Sequence, residues 1–228
     1  MTERRGRRGG GRAARQAART ATAVETMPYL TRKLEPVEVL SEEGLEIIER
    51  NADTLLEQVG VEIVGYDEAL QIYADAGADV DGNRVRFPRG MCRDIVQASA
   101  PKSFTQVARN PKRSVVIGDP HTVLVPAYGS PFVRDLDGGR RYATIEDFNN
   151  FSKLAYMTPS MHHNGGTLCE PVDLPVNKRH YDMLYAHIKY SDKAFMSSVT
   201  HPERAADSVE MARILFGSDF VDQKTVLL

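Results

Sequence analysis

The sequence predicts an α/β protein in which part of a (β/α)8 TIM-type barrel follows a small α+β N-terminal region and a disordered basic tail. Three observations lead to this prediction. After residue 142, short strand-like runs alternate with longer helical patterns, which is the rhythm of βαβ units. Residues 103–142 consist of short β-prone runs separated by turn signals. The first twenty residues carry seven arginines and a single acid.

Charge and composition narrow the class of protein. The net charge of -2 combines +6 on residues 1–20 with -8 on the remaining 208 residues. The longest apolar runs, such as 114–117 and 122–125, are far shorter than the ~20 residues of a membrane-spanning helix. Cys92 and Cys169 are the two cysteines, so neither a disulfide framework nor a multi-cysteine zinc module fits. A reducing, cytoplasmic location is therefore expected.

Residues 1–24 are predicted to be a disordered Arg/Gly-rich tail. Between Met1 and Val24 they contain no aromatic residue and no apolar residue larger than alanine, so they cannot bury enough surface to offset the entropy of ordering. Arg-Gly runs can neutralise phosphate backbones, and an arginine-rich start also resembles an organelle transit peptide. A tail without a dedicated ligand is the preferred interpretation, so nucleic acid is not expected as a partner. A polyanion-binding protein is kept as an alternative function.

Residues 25–142 are predicted to form an α+β lead-in with antiparallel hairpins. Its first helix begins at Ser41, a capping residue followed by two acids, and ends at Gly60. The next predicted elements are strands at 61–64 and 84–87 and helices at 66–76 and 88–98. In the hairpin region the β-prone runs are 104–108, 114–117, 122–125 and 132–135.

Residues 143–228 are predicted to contain the first βα units of an incomplete (β/α)8 barrel. A helix at 144–157 begins with Thr144 and Asp147 at the spacing of a capping box. The remaining predicted elements are strands at 160–164 and 194–199, helices at 176–190 and 202–216, and an apolar run at 225–228 that resembles the start of a strand. Because a closed barrel takes ~250 residues, we expect the sequence to be the front part of a longer protein.

Functional residues of parallel α/β proteins lie in the loops that follow the strands. Three such loops are predicted, at 126–131, 162–167 and 197–201. In the second loop, Gly165–Gly166 is either a simple tight turn or a place where the backbone approaches a ligand closely. In the third loop, Thr200 either caps the helix that follows or contacts a ligand.

Adjacent His162 and His163 invite a metal hypothesis. With His201 as a third ligand they would suit a metal-dependent barrel hydrolase, which is kept as a second alternative function. Neighbouring strand residues point to opposite faces, so the preferred interpretation places one histidine inward and packs the other against a helix; no metal ligand is predicted. Cys169 has no convincing adjacent base and is interpreted as a packing thiol.

Several motifs carry a family resemblance. The stretch RHYDMLYA at 179–186 and the stretch YSDKAFMSSVT at 190–200 resemble the trimethylamine methyltransferase family, which includes glycine betaine methyltransferases. Three further motifs are similar to the same family: NGG at 164–166, EPVDLP at 170–175 and MARILFG at 211–217. The resemblance extends from the tail to the last residue but covers only the front half of a family chain.

The resemblance implies a (β/α)8 barrel that moves a methyl group from a methylated amine to the Co(I) of a corrinoid protein. The donor would be trimethylamine or a quaternary amine such as glycine betaine. The corrinoid (cobalamin) would be carried by a partner protein, and this segment would bind no cofactor directly. A homo-oligomer without a membrane partner is expected. Because half of the barrel would be missing, the segment alone is expected to be inactive.

Four residues are expected to line the substrate cavity, each because of its position: Tyr128, Asn164, Glu170 and Thr200. Aromatic faces and carboxylates suit a methylated ammonium. The resemblance names no catalytic residue within this segment. Archaeal-type trimethylamine enzymes use a pyrrolysine that would lie beyond the covered part, so a member without it would be expected to use a quaternary amine such as a betaine.

Overall fold

The computed structural model describes residues 26–118 and 120–228, and the predicted tail at 1–24 lies outside them. Contacts divide the chain into two compact units: one is residues 33–102, and the other contains residues 103–228 together with the described residues 26–32. The hairpin region at 103–142, which the sequence groups with the preceding α+β part, belongs to the second unit. In the described part of the chain, no helix is long and apolar enough to cross a bilayer.

The helices and strands follow the chain in this order: β1 (Leu30–Thr31), α1 (Glu42–Gln58), β2 (Val61–Glu62), α2 (Asp67–Asp75), β3 (Asp79–Asp81), β4 (Arg84–Arg86), α3 (Met91–Ser99), β5 (Ser103–Gln106), a 3-10 turn (Pro111–Arg113), β6 (Val115–Gly118), β7 (His121–Thr122), β8 (Phe132–Asp135), β9 (Gly139–Tyr142), α4 (Ile145–Met157), α5 (Arg179–Tyr190), α6 (Pro202–Phe216) and α7 (Ser218–Gln223). Together they form a mixed α/β fold, as predicted.

The unit of residues 33–102 contains a three-stranded antiparallel sheet in the order β2–β4–β3, centred on the fully buried Val85. The Ser41 side chain caps α1 by accepting a hydrogen bond from the Gly44 N–H, as predicted. Gly60 ends the helix with a φ of +70°, and a Cβ there would lie 2.2 Å from the Val85 carbonyl oxygen, so only glycine fits.

Some predictions for this unit are wrong. The strand predicted at 61–64 ends at Glu62. The third helix begins at Met91 rather than at 88, because residues 88–90 form a turn in which the Met91 N–H bonds to the Pro88 carbonyl. The strand β3 was not predicted, since two of its three residues are aspartates, which are uncommon in strands. It forms because it pairs with β4 across a short hairpin.

The second unit begins with a four-stranded antiparallel sheet in the order β1–β7–β6–β5, followed by the β8–β9 hairpin. The predicted antiparallel pairing is confirmed, with Phe104 opposite Ile117 and Val133 opposite Arg141. The predicted strand at 122–125 is wrong beyond Thr122. Leu124 leaves the sheet because its backbone N–H and C=O both bond to His162 instead.

Helices α4, α5 and α6 confirm the long helical patterns. The capping box of α4 is present, since Thr144 and Asp147 each accept a hydrogen bond from the other's backbone N–H. Helix α5 begins at Arg179 rather than at 176, because a turn at Pro175 accepts the N–H groups of Lys178 and Arg179. The buried core between α4, α5 and the β8–β9 hairpin includes Val133, Ala143, Phe148, Leu168, Cys169, Met183 and Ala186.

The predicted strands at 160–164, 194–199 and 225–228 are not regular strands but three neighbouring extended segments. The Asn164 N–H bonds to the Ala194 carbonyl (2.8 Å), the Met196 N–H to the Gly165 carbonyl (2.9 Å) and the Ser197 N–H to the Leu228 carbonyl (2.8 Å). The ladder is interrupted because Gly165 has a φ of +80°, which no regular strand contains. No closed barrel is seen in the described residues.

Lys193 lies at the start of the second extended segment and is fully buried. Its Nζ donates hydrogen bonds to the carbonyl oxygens of Ala155 (2.8 Å), Thr158 (3.1 Å) and Met161 (2.6 Å). These carbonyls lie at the end of α4 and in the turn beyond it, where the Thr158 carbonyl also accepts the Met161 N–H and where a cation interacts favourably with the helix dipole. Lys193 therefore ties the end of α4 to the first two extended segments.

Candidate functional site

The candidate site is the Gly165–Gly166 turn, where the first of the three extended segments ends. Gly165 has a φ of +80°, and a Cβ there would lie 3.0 Å from the Leu168 side chain and 3.2 Å from Pro126. A Cβ on Gly166 would lie 3.2 Å from the Cβ of Met196 on the second segment. The φ of Gly165 therefore favours glycine, and a Cβ on Gly166 would press on Met196. Both glycines are buried among protein atoms, which fits the tight-turn interpretation, while the close approach of a ligand stays a prediction.

A buried hydrogen-bond chain runs from this turn to the antiparallel sheet. His163 Nδ1 accepts the Gly165 N–H at 2.9 Å, and His163 Nε2 contacts Gln106 Oε1 at 3.0 Å. Gln106 Nε2 donates to the Phe195 carbonyl at 2.7 Å and lies 3.4 Å from the Val226 carbonyl. Gln106 on β5 thus bonds to one residue of each extended segment.

A second buried cluster contacts the turn from the helical side. His187 on α5 bonds through Nε2 to the Gly166 carbonyl at 2.8 Å and through Nδ1 to Asn164 Nδ2 at 2.7 Å. Asn164 Nδ2 also donates to Ser152 Oγ on α4 at 2.9 Å. Asn164 Oδ1 is buried and accepts no hydrogen bond in the described part of the chain.

Both histidines of the site are neutral at pH 7. Burial lowers the pKa of His163 to about 4, with a further contribution from nearby His187. Burial likewise lowers the pKa of His187 to about 4, opposed only in part by its bond to the Gly166 carbonyl. Neutral imidazole is the form that can accept a hydrogen bond on one nitrogen and donate on the other, which is how each histidine is used here.

Tyr128 lies in a different place, on the wall of an open cleft of about 450 Å³. The cleft lies between helix α4 and the loop that precedes the β8–β9 hairpin, and its wall includes Phe132, Phe151 and Leu154. Tyr128 is 60% exposed as a residue, so its side chain is available to a ligand. This cleft is aromatic and largely apolar.

Glu170 and Thr200 occupy two further positions. The Glu170 carboxylate is paired with the Arg179 guanidinium at 2.6 Å, and its backbone N–H bonds to the Ser130 carbonyl, which places it beside the loop of Tyr128. Thr200 is exposed and accepts a hydrogen bond from Arg204. It does not cap α6, because the N-cap residue is His201. The structure therefore brings the segments of Tyr128 and Glu170 together but leaves Asn164 buried and Thr200 at the surface.

The histidines of the metal hypothesis do not form one metal site. His162 accepts the Leu124 N–H on Nδ1 and contacts the Pro28 carbonyl through Nε2. His163 is equally occupied by Gly165 and Gln106, so neither ring has a lone pair left for a metal. His201 is exposed and lies near Glu203. Among the described residues, no group of three or more His, Cys, Asp or Glu side chains is arranged to hold a metal ion.

Three site residues were not predicted: Gln106, Ser152 and His187. The signal for Gln106 is its place two residues after Phe104 in a β-prone run, on the face that the sheet buries. His187 follows His180 by seven residues, which puts both on one face of α5, and both are buried.

The structure confirms that Cys169 is a packing thiol. Its side chain is buried in the core, and burial, with the charges of Asp147 and Asp173, raises its pKa to about 12. The thiolate is therefore not formed at neutral pH, and Cys169 cannot act as a nucleophile there.

The chain is similar to known proteins over most of its length. The family model described as trimethylamine methyltransferase (MTTB) matches residues 8–228. The chain is 45% identical to a glycine betaine methyltransferase of Desulfitobacterium hafniense (strain Y51) over 191 residues, which are 83% of this chain and 40% of that protein. It is 28% identical to an L-carnitine:corrinoid methyltransferase of Eubacterium limosum over 158 residues, 67% of this chain and 31% of that protein.

A shorter match is to the trimethylamine methyltransferase MttB of Desulfitobacterium hafniense (strain DSM 10664 / DCB-2), 36% identical over 80 residues, which are 34% of this chain and 16% of that protein. In each of these relatives the matched part is less than half of the protein, with 40% as the largest share.

Proposed function

Because the chain belongs to the trimethylamine methyltransferase family, we propose that its protein transfers a methyl group from a methylated amine to the Co(I) of a corrinoid carried by a partner protein. The observation that supports this most directly is the 45% identity to a glycine betaine methyltransferase over 83% of the chain. The same observation favours a quaternary amine such as glycine betaine as the donor.

For this reaction the protein mainly has to position the methyl donor and the corrinoid. With a quaternary ammonium donor, the methyl carbon would bond to the nucleophilic Co(I) of the partner's corrinoid as the C–N bond breaks, and the electron pair of that bond would stay on nitrogen, so a neutral amine would leave. The protein has to hold the cationic donor, exclude water and admit the corrinoid face, and it needs no proton donor for this step. The corrinoid belongs to the partner and is not a resident cofactor of this segment.

The three extended segments are proposed to be the opening strands of a (β/α)8 barrel. Their order along the chain, their hydrogen bonds to one another and the intervening helices α5 and α6 support this arrangement. In such a barrel the Gly165–Gly166 turn and residues 197–200 lie at the carboxyl ends of neighbouring strands, the end at which the active site is built.

Tyr128, Asn164, Glu170 and Thr200 remain the proposed substrate-binding residues. The exposed Tyr128 ring offers a face to a methylated ammonium, and the Glu170 carboxylate, oriented by Arg179, offers a negative charge on the adjacent stretch. Asn164 is proposed to take part through its Oδ1, which accepts no hydrogen bond among the described residues, while its Nδ2 contacts His187. Thr200 follows the second extended segment directly.

Two further properties are proposed for the whole protein: a cytoplasmic location and a homo-oligomeric state. The location is supported by the two cysteines, both of which are free thiols in the structure.

Methyl transfer can be measured with the complete protein, a reduced corrinoid protein and a panel of methylated amines. We expect glycine betaine to convert Co(I) to methyl-Co(III) faster than trimethylamine or L-carnitine does. The loss of Co(I) absorbance measures the rate. Omission of the protein is the control. If none of the three donors methylates the corrinoid, the proposed function is wrong; if trimethylamine is the best donor, the choice of a quaternary amine is wrong.

Replacing Glu170→Gln should weaken donor binding, because it removes the charge but preserves the size of the side chain. We expect KM for glycine betaine to rise roughly tenfold, the effect of about 1.4 kcal/mol, with a smaller change in kcat. Glu210→Gln is the matched control, since Glu210 is also paired with an arginine, Arg213, at 2.7 Å but lies on the exposed face of α6. Equal KM values in the two variants would remove Glu170 from the substrate site.

A further inference from the structure

We infer that His163 and His187 are positioning residues that hold the Gly165–Gly166 turn from its two sides in the shape that meets the methyl donor. The inference rests on the proposed function, since it assigns a role in the same site. The observation behind it is that two fully buried histidines from different parts of the chain bond to two consecutive residues of one turn, His163 to the N–H of Gly165 and His187 to the C=O of Gly166.

The direction of every hydrogen bond around the turn follows from the backbone groups. The Gly165 N–H can only donate, so His163 Nδ1 is the acceptor and His163 Nε2 carries the proton, which it donates to Gln106 Oε1. The Gly166 carbonyl can only accept, so His187 Nε2 carries the proton and His187 Nδ1 accepts from Asn164 Nδ2. Both rings are therefore Nε2–H tautomers, but His163 meets the turn with its accepting Nδ1 and His187 with its donating Nε2.

The partners behind the histidines restrict both rings. Gln106 anchors His163 to the carbonyls of Phe195 and Val226 on the other two extended segments. Asn164 anchors His187 to Ser152 on α4, and the His187 ring packs edge-on against Phe148 at 5.2 Å between ring centroids. Neither imidazole can turn without breaking a bond that water cannot replace in a buried site.

The turn lies at the end of the first extended segment, where a (β/α)8 barrel would have its active site. Buried histidines that serve packing alone would not need to bond to one two-residue backbone stretch at the end of the first extended segment. Both glycines are buried, Gly165 beside Leu168 and Pro126 and Gly166 against Met196, so the turn is packed closely between neighbouring segments. A displacement of the turn by a fraction of an ångström would shift whatever the turn contacts.

The test uses the complete protein with substitutions that remove or preserve the relevant atom. His187→Leu removes the donor to the Gly166 carbonyl, and His163→Leu removes the acceptor for the Gly165 N–H. His187→Gln and His163→Asn place an amide group close to the same positions. We expect each Leu variant to raise KM for the methyl donor about tenfold or more, with rescue by the matching amide variant to within about threefold.

A second readout does not depend on activity. Amide hydrogen exchange of the peptide covering residues 160–170 should speed up in the Leu variants and return toward wild type in the amide variants. Gly166→Ala, which alters the turn and leaves both histidines in place, should raise KM in the same way, since its Cβ would be 3.2 Å from Met196.

His180→Leu is the control. His180 is also a buried histidine on α5, but it bonds to Asp207 at 2.8 Å and does not contact the turn. We expect it to lower the unfolding temperature without raising KM. If the wild type is active but both Leu variants keep its KM, or His180→Leu raises KM as much as they do, the inference about the turn is wrong and the proposed function still stands. A wild type that methylates no corrinoid overturns the proposed function and this role with it.

Discussion

Lys193→Met should destabilise the protein by about 3 kcal/mol, because three carbonyl oxygens lose a charged donor while the methionine fills nearly the same space. Those carbonyls, of Ala155, Thr158 and Met161, end helix α4 and begin the segment that leads to the diglycine turn. Burial, with the nearby Arg113 charge, lowers the pKa of Lys193 to about 8, so the ammonium is still the main form at pH 7. The desolvation that causes this shift offsets part of the gain from the three hydrogen bonds, which is why the expected loss is smaller than their sum. Urea unfolding at pH 7 measures the loss.

Lys178→Met is the matched control for this substitution. Lys178 is exposed and makes only a loose pair with Asp182 at 3.9 Å, so its loss should change the free energy of unfolding by no more than about 0.5 kcal/mol. Amide hydrogen exchange should locate the effect of Lys193→Met at residues 155–161, where three carbonyls lose the lysine donor. Equal urea midpoints for the two variants would show that water replaces the ammonium at no cost.

The caps and the long helices could be predicted because their signals are local. Ser41 and Thr144 satisfy the first N–H groups of their own helices, and the apolar spacing of α4 and α6 is visible within each helix. The family resemblance, carried by short motifs, is confirmed by the family match over residues 8–228.

The buried polar network could not be predicted, because its partners are far apart in the sequence. His163 and Gln106 are 57 residues apart, and Asn164 and His187 are 23 apart. Nothing local tells a histidine which tautomer its tertiary partners will require. Lys193 is harder still, since a lysine is expected at the surface unless an arrangement of acceptors is already known.

The regularity of the three extended segments could not be predicted from the sequence either. The alternation of helices and apolar runs correctly predicts that residues 160–164, 194–199 and 225–228 lie next to one another. The φ of +80° at Gly165 nevertheless interrupts the hydrogen bonds between the first two of these segments, so they do not form a regular parallel pair. Sequence spacing alone could not distinguish a glycine that ends a strand from one that bends it. The assignment of Tyr128, Asn164, Glu170 and Thr200 to one cavity stays a prediction for the complete protein.

Acidification should destabilise the protein between pH 6.5 and about 4 through the same two histidines that hold the turn. In the unfolded chain His163 and His187 take up protons near the usual value of 6.5, whereas in the fold the pKa of each is about 4. Protons therefore bind more readily to the unfolded state. The stability that this neutrality contributes is fully present above pH 6.5 and is lost as the pH falls toward 4, by roughly 3 kcal/mol for each histidine.

The double variant His163→Asn, His187→Gln should flatten this part of the pH profile, because neither amide titrates while both preserve hydrogen bonds to the turn. His201→Gln is the control, since His201 is exposed and its removal should leave the slope unchanged. Asp147, whose pKa is held well below its usual range by Arg141, titrates only below this window and adds nothing to it. Urea unfolding at a series of pH values between 7.5 and 4 measures the slope, and a double variant as acid-sensitive as wild type would show that the two buried imidazoles are not the groups that titrate.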